Sequence, residues 1–411
     1  MLSRIILIIA VFVLVEVYCF FAVKRLFKSK KVIAIYVVSS LLIILYFIST
    51  FLGFDRETGQ NQHSLLVFAF LLLYLLTKAT VSIFLLVEDF YRLFAGVYNY
   101  FYRKNQLKKI PTRRRAVSRI AVLVAFIPFF SILYGIFQGK YNFKVVEQTV
   151  YFEDLPDSFD GFKILQISDI HCGSFDNNEK IDKAIDLINR QNFDVFVFTG
   201  DLVNNFAWEM HPWIETFQKI KNPKYGKFSV LGNHDYGEYA IWKSEKAKQK
   251  NFEEIKDLHR QIGFRLLLNE NAILQKDSDS LVIVGVENWG ETLRFQRLGD
   301  LDKAAENLKA EDFKVLLSHD PSHFDVKVRK HPKNFQLTLS GHTHGLQFGV
   351  EIPDIFKWSP IQYIYKHWAG LYEDSGKHLY VNRGFGFHAY SGRVGIWPEI
   401  TVIQLKKAQK R

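Results

Sequence analysis

"FKILQISDIH", residues 162–171, couples a run of large apolar residues to an acid and a histidine two positions apart. Such a run, too short for a helix and bounded by polar residues, reads as a buried β-strand. The pattern recurs. "DVFVFTG" (194–200) is followed by Asp201, and "KFSVLG" (227–232) by Asn233, His234 and Asp235. "FKVLLS" (313–318) leads into His319, and "FQLTLSG" (335–341) into His342, Thr343 and His344. "LVIVGVE" (281–287), "KHLYVN" (377–382) and "EITVIQL" (399–405) read as further strands. Helical patterns fall near residues 180–190, 208–220, 239–262 and 301–308. Buried strands separated by helices predict an α/β sheet, and sites in open α/β sheets gather at the carboxyl ends of strands. A single strand-end histidine is a weak signal. Five clusters, each after a predicted strand, are a strong one.

The chemistry of the donors narrows the ligand. Asp169, His171, Asp201, Asn233, His319, His342 and His344 offer imidazole, carboxylate and amide oxygen but no thiolate, which suits Mn, Fe or Zn. Seven donors exceed the needs of one ion. Two ions sharing a carboxylate would use them all, and such pairs serve phosphoryl transfer.

In order along the chain, D-x-H, GD, GNHD, H and GHTH resemble the signature of the calcineurin-like metallophosphoesterases, over residues 142–405. The entrance "LPDSFDGFKILQISDIHCGS" and the ending "GLYEDSGKHLYVNRGFG" resemble the branch of membrane-anchored bacterial phosphohydrolases. The resemblance implies a four-layer α/β/β/α sandwich around a dinuclear centre. It assigns Asp169, His171, Asp201 and His344 to one ion and Asp201, Asn233, His319 and His342 to the other, with Asp201 bridging. It makes His234 the catalytic residue that serves the leaving oxygen, while a water shared by the cations attacks phosphorus. Two departures stand out. Asn204 occupies the place of an acid in GDxxDR with no arginine after it, against a phosphoprotein phosphatase. Leu346 replaces the second glycine of GHTHGGQ. Asp235 reads either as support for the site or as a solvated turn residue. Arg383 and Arg393 read either as phosphate contacts or as surface arginines. His211, His323, His331, His367, His378 and His388 match no ligand position and are expected elsewhere.

The first third of the chain has another texture. Four apolar runs, about 5–23, 32–54, 64–87 and 117–137, have the length of membrane spans. They are followed by a linker and lead-in strand (138–160), the phosphoesterase domain (161–405) and a basic tail (406–411). Residues 1–140 carry 18 Lys/Arg against 5 Asp/Glu, so the basic balance belongs to the membrane region and nucleic acid is not an expected partner. Basic residues crowd the loops at 24–31 and 103–115, which places those loops in the cytoplasm and the C-terminal domain outside it. Glu16 and Lys78 fall inside spans, where either they pair or Lys78 snorkels. The aromatic stretch 354–373, with Trp358, Tyr363, Tyr365 and Trp368, reads as a lip for a lipid-like substrate, as rings resting on the bilayer interface, or as a cap packed over the sandwich. Cys19 and Cys172 are not expected to bond to each other. The expected partners are the lipid bilayer and a phosphate ester, lipid-linked or from the cell envelope among the candidates. A metal-binding pseudoenzyme acting as sensor or scaffold is the alternative.

Overall fold

All eight strands expected from residue 162 onward are present in the computed structural model, which describes residues 2–55, 57–102, 114–292, 295–352 and 355–408, without the side chains of residues 2–11. Most of the basic run at 103–115 and the end of the basic tail lie outside the described residues. The chain divides into two units, residues 1–54 with 66–134, and residues 55–65 with 135–411.

The first unit is helical: α1 (Leu2–Leu26), α2 (Lys30–Leu52), α3 (Gln62–Tyr102) and α4 (Arg114–Phe137). Among the described residues, α2, α3 and α4 are long and apolar enough to cross a membrane. Helix α3 continues well past the expected end near residue 87, since nothing in "EDFYRLFAGVYNYFY" breaks a helix and Glu88 pairs with Arg92 one turn on. Small buried residues, Ala22, Ala121 and Ala125 with Cys19, let helices approach closely. Lys78 Nζ lies 2.8 Å from both oxygens of Glu16, 2.7 Å from Tyr74 Oη and 2.9 Å from Ser40 Oγ. The two charges therefore pair. Hydrogen bonds to hydroxyls complete the network, as burial at that depth requires.

The second unit is built on β1 (Lys144–Phe152), β2 (Lys163–Ile167), β3 (Val195–Phe198), β4 (Lys227–Ser229), β5 (Arg265–Leu266), β6 (Glu270–Lys276), β7 (Asp279–Gly285), β8 (Lys314–Leu317), β9 (Leu337–Ser340), β10 (Val350–Ile352), β11 (Phe356–Trp358), β12 (Gly370–Asp374), β13 (Lys377–Val381) and β14 (Glu399–Lys407). One six-stranded sheet runs β1-β14-β2-β3-β4-β5, the other β12-β13-β9-β8-β7-β6, and β10-β11 is a separate hairpin. Strand β1 falls within the expected linker and lead-in strand (138–160) and is fully paired to β14.

Alternation along the strands sets the layers. Ile164, Val195 and Val197 of the first sheet meet Ile283, Val315 and Leu339 of the second in one core. The neighbouring residues Leu165, Phe196 and Phe198 face the opposite way, onto α5 (Asn178–Arg190) and α7 (Glu245–Gln261), with α6 (Ile214–Gln218) beside them. Val282, Val284 and Leu316 cover the outer face of the second sheet against Leu301, Ala304 and Phe324. Helix, sheet, sheet, helix is the order the resemblance implied.

Candidate metal centre

Two parallel pairs of strands, β2 with β3 in one sheet and β8 with β9 in the other, deliver the site. Asp169 and His171 follow β2, Asp201 follows β3, His319 follows β8, and His342 and His344 follow β9. Asn233 and His234 follow β4, which lies next to β3. The turns that carry them are strained. Asp169, His171, Asp201, His342 and His344 have φ of 53°, 45°, 62°, 71° and 50°. Left-handed backbone costs a non-glycine residue about 1–3 kcal/mol and clusters where function demands it. Gly341 is required by contact: a Cβ there would lie 1.9 Å from Ser168 Oγ and 2.3 Å from Asp169 Oδ2.

Among the described residues three donor groups result, Asp169 with His171 and His344, Asp201 with His319 and His342, and His171 with His234 and His388, each with its candidate atoms within 4.8 Å of one another; the first two contain the carboxylates. His344 Nε2 is 3.2 Å from Asp169 Oδ1, and His319 Nε2 is 3.2 Å from Asp201 Oδ2. Asp201 Oδ2 also lies 3.5 Å from His171 Nε2, so it touches both groups. Backbone amides hold the acids in place, His342 N–H donating to Asp169 and His234 N–H to Asp201.

Hydrogen bonds outside the groups fix the rings. His171 Nδ1 donates to Asn204 Oδ1 at 3.0 Å and His319 Nδ1 to the Thr199 carbonyl at 2.7 Å. Each Nε2 is thereby left inward, the arrangement typical of metal-ligating histidines. Arg393, which can only donate, lies 3.2 Å from His344 Nδ1. The His344 proton therefore sits on Nε2, and it is the proton a cation would replace.

The residues fit divalent cations on three observations. Asp169 and Asp201 are fully buried, and the ion-pair partners found for them are histidines. Burial disfavours a charged His319, yet Asp201 and then Asp169 lift it to about 10, which marks a pocket that attracts positive charge. Asn233 Nδ2 donates to Tyr239, while its buried Oδ1 has no protein partner.

Several readings of the supporting residues change. Asp235 is buried, not solvated, and accepts from the N–H groups of Gly232, Asp201 and Leu202 at 2.8–3.0 Å. Burial, then the charge of Asp201, pushes its carboxyl up to about 7. Neither arginine is at the surface. Arg383 is held by Glu351 and Glu399, and Arg393 is fully buried, donating to the carbonyls of Gly384 and Gly386. His388 is the main correction, because it lies at the centre instead of elsewhere. Its ring stacks on His171 at 4.7 Å, approaches His234 at 4.4 Å and places Nδ1 3.2 Å from Asn204 Oδ1. No strand end announces it; it sits in the long segment between β13 and β14. The aromatic stretch divides. Trp368 packs in a small core with Ile361 and Ile396, and the Tyr365 hydroxyl lies 2.7 Å from His342 Nε2. His211, His323, His331 and His367 pair with Glu254, Ser318, Asp302 and Asp325, and His378 lies by Glu373.

Comparison with known proteins gives consistent results. Residues 162–346 match the family described as calcineurin-like phosphoesterase, and residues 3–140 match the probable calcineurin-like phosphoesterase transmembrane domain. The chain is 30% identical to the uncharacterized metallophosphoesterase YkuE of Bacillus subtilis, over 66% of this chain and 89% of that protein. It is 28% identical to the transmembrane protein with metallophosphoesterase domain of Danio rerio, over 74% of this chain and 68% of that one. A 5'-nucleotidase precursor from Thermus thermophilus aligns with TM-score 0.35 and 13% identity over 61% of this chain and 57% of that chain.

Proposed function

Because the chain belongs to the calcineurin-like phosphoesterase family, we propose that it is a membrane-anchored phosphoesterase dependent on two divalent cations, Mn, Fe or Zn, that hydrolyses a phosphomonoester or phosphodiester. The observation that carries this reading is the convergence of two fully buried carboxylates with four inward histidines and one unsatisfied amide oxygen. Asp169, His171, His344 and Asp201 would hold one cation; Asp201, Asn233, His319 and His342 would hold the other. Divalent cations bound there would supply neutralisation of phosphoryl oxygens and a water that ionises near neutral pH.

The remaining work falls to the chain. His234 Nδ1 donates to the Asn204 carbonyl at 2.8 Å, which leaves Nε2 for the leaving oxygen. Burial lowers the affinity of His234 for its second proton, and Asp201 and the Asn204 carbonyl oppose that effect. The backbone oxygen of Asn204 thus does for His234 what an acid does in GDxxDR. Asp235 pins the Asp201 turn and keeps that carboxylate between the two groups.

The catalytic unit lies outside the cytoplasm in this proposal. The segment 55–65, the connection after α2 together with the first turn of α3, supports it, because Gln62 Nε2 donates to the Phe175 carbonyl and Ser391 N–H to the Leu65 carbonyl. That loop has one arginine, whereas the loops on the other side of α2 and α3 are basic, and basic loops stay inside. The test is turnover of p-nitrophenyl phosphate and its bis-ester by the full chain with Mn²⁺, before and after chelation. Chelator-sensitive hydrolysis of either is expected. Activity undiminished by chelation would overturn the dependence on metal, and no turnover on any ester would leave a scaffold.

A further inference from the structure

Beside the metal centre, the second unit leaves six large apolar side chains bare: Val350, Ile352, Ile355, Phe356, Tyr363 and Ile364. Ile355 is 80% exposed, as bare as Leu52 at 78% on the membrane-length helix α2. Val350 and Ile352 alternate onto one face of the hairpin, and Ile352 pairs with Phe356 across it. Soluble surfaces scatter such residues singly, and a contiguous group signals a partner or a membrane.

The root of the hairpin says which. Phe348 bridges to Val394, and Gly349 N–H donates to the Val394 carbonyl at 2.9 Å. Arg393 N–H in turn donates to the carbonyl of Gly135 at 3.2 Å, and Gly135 lies in the last turns of α4 while belonging to this same unit. A Cβ on Gly135 would lie 2.6 Å from the Arg393 carbonyl oxygen, so helix end and hairpin root meet backbone to backbone. The end of a membrane-length helix marks the edge of the hydrocarbon, so the hairpin springs from that edge. Aromatic and aliphatic tips are favoured there.

The same segment leads into the site. The turn carrying His342 and His344 continues through Leu346, which adopts φ 49° and is 43% exposed, directly into β10. Tyr365, one residue past Ile364, holds His342. We propose that the β10–β11 hairpin with Tyr363 and Ile364 docks on the lipid bilayer, so that the metal centre opens at headgroup level and takes a phosphate ester carried on a lipid. The docking stands on the fold alone; the lipid substrate rests on the phosphoesterase reading.

The experiment uses the full chain in nanodiscs of phosphatidylethanolamine and phosphatidylglycerol. Nitroxides are attached at Ile355→Cys and Tyr363→Cys, with exposed Lys183→Cys as the aqueous reference; native Cys19 and Cys172 are buried. Relaxation by oxygen exceeding that by a water-soluble nickel chelate is expected at 355 and 363, and the reverse at 183. Aqueous behaviour at 355, or shielding from both relaxants as in a protein–protein contact, overturns the docking. The double variant Ile355→Asp/Phe356→Asp should raise KM for a long-chain phosphatidate about tenfold more than for its short-chain analogue, since interfacial binding scales with apolar area. Equal changes for both overturn the lipid substrate even where the hairpin lies in lipid. Absence of turnover on both, with lipid-like relaxation at 355, overturns the catalytic reading and upholds the docking.

Discussion

Asn204 does the work of three residues. Its Oδ1 accepts from His171 and His388, and its carbonyl accepts from His234, so one side chain and one peptide orient three imidazoles. Removing that acceptor frees the His171 ring. Loss of a partner of this kind typically costs 10–100-fold in metal affinity. Asn204→Ala should lose affinity in that range, and Asn204→Asp, which keeps an acceptor, should lose less; competition with a metal-sensitive dye separates them. His234 tests the division between holding metal and serving the leaving group. General acid catalysis contributes typically 10²–10⁴-fold, and p-nitrophenolate needs little of it. His234→Ala should therefore keep its metal, lose roughly 10²-fold or more on alkyl esters, and lose distinctly less on p-nitrophenyl esters. Equal losses, or a missing ion by elemental analysis, would make His234 a ligand or charge stabiliser.

The loop from Asp201 to Glu209 is the element on which these side chains depend. Glu209 accepts from the N–H groups of Asn204, Asn205 and Phe206 at 2.5, 3.3 and 3.2 Å, and so fixes the backbone that carries Asn204. Burial pushes its carboxyl up to about 8, against the pull of those donors. A folded value above the unfolded one favours the fold fully below the ordinary carboxylate range and stops doing so as pH rises through about 8. Glu209→Gln imitates the neutral acid. It should keep most of the stability at pH 7 and show a flatter loss between about pH 5 and pH 8 than the natural chain. Glu209→Ala leaves buried donors unpaired and should lose roughly 1–3 kcal/mol at either pH. Thermal unfolding in detergent reads both outcomes.

At the scale of the whole molecule the question is which side of the membrane holds the catalytic unit. A reporter fused after Arg411 should be active outside the cytoplasm, as should one inserted in the connection at 57–61, because the first turn of α3 that follows it is hydrogen-bonded to Phe175 and Ser391. A reporter at residues 26–29, in the basic loop between α1 and α2, should be active inside. The reverse pattern would move the domain to the cytoplasm and remove envelope substrates from consideration.

Eight of the strands and their succession along the chain were legible in the sequence, as was the clustering of Asp, Asn and His just after strands, because burial on both faces writes an apolar run and a tight turn writes glycine beside such residues. The membrane-length helices were legible for the same reason: a bilayer demands an uninterrupted apolar stretch. Both are local patterns. Tertiary structure alone brought in His388, from a segment with no pattern of its own, and placed Tyr365 behind His342. It buried Arg393 against His344 and Asp235 beneath Asp201, where the sequence left open a surface arginine and a solvated turn. It also tied the hairpin root to the end of α4, across more than 200 residues of chain. Such contacts join segments far apart in sequence, and only the packing of the two sheets brings them together.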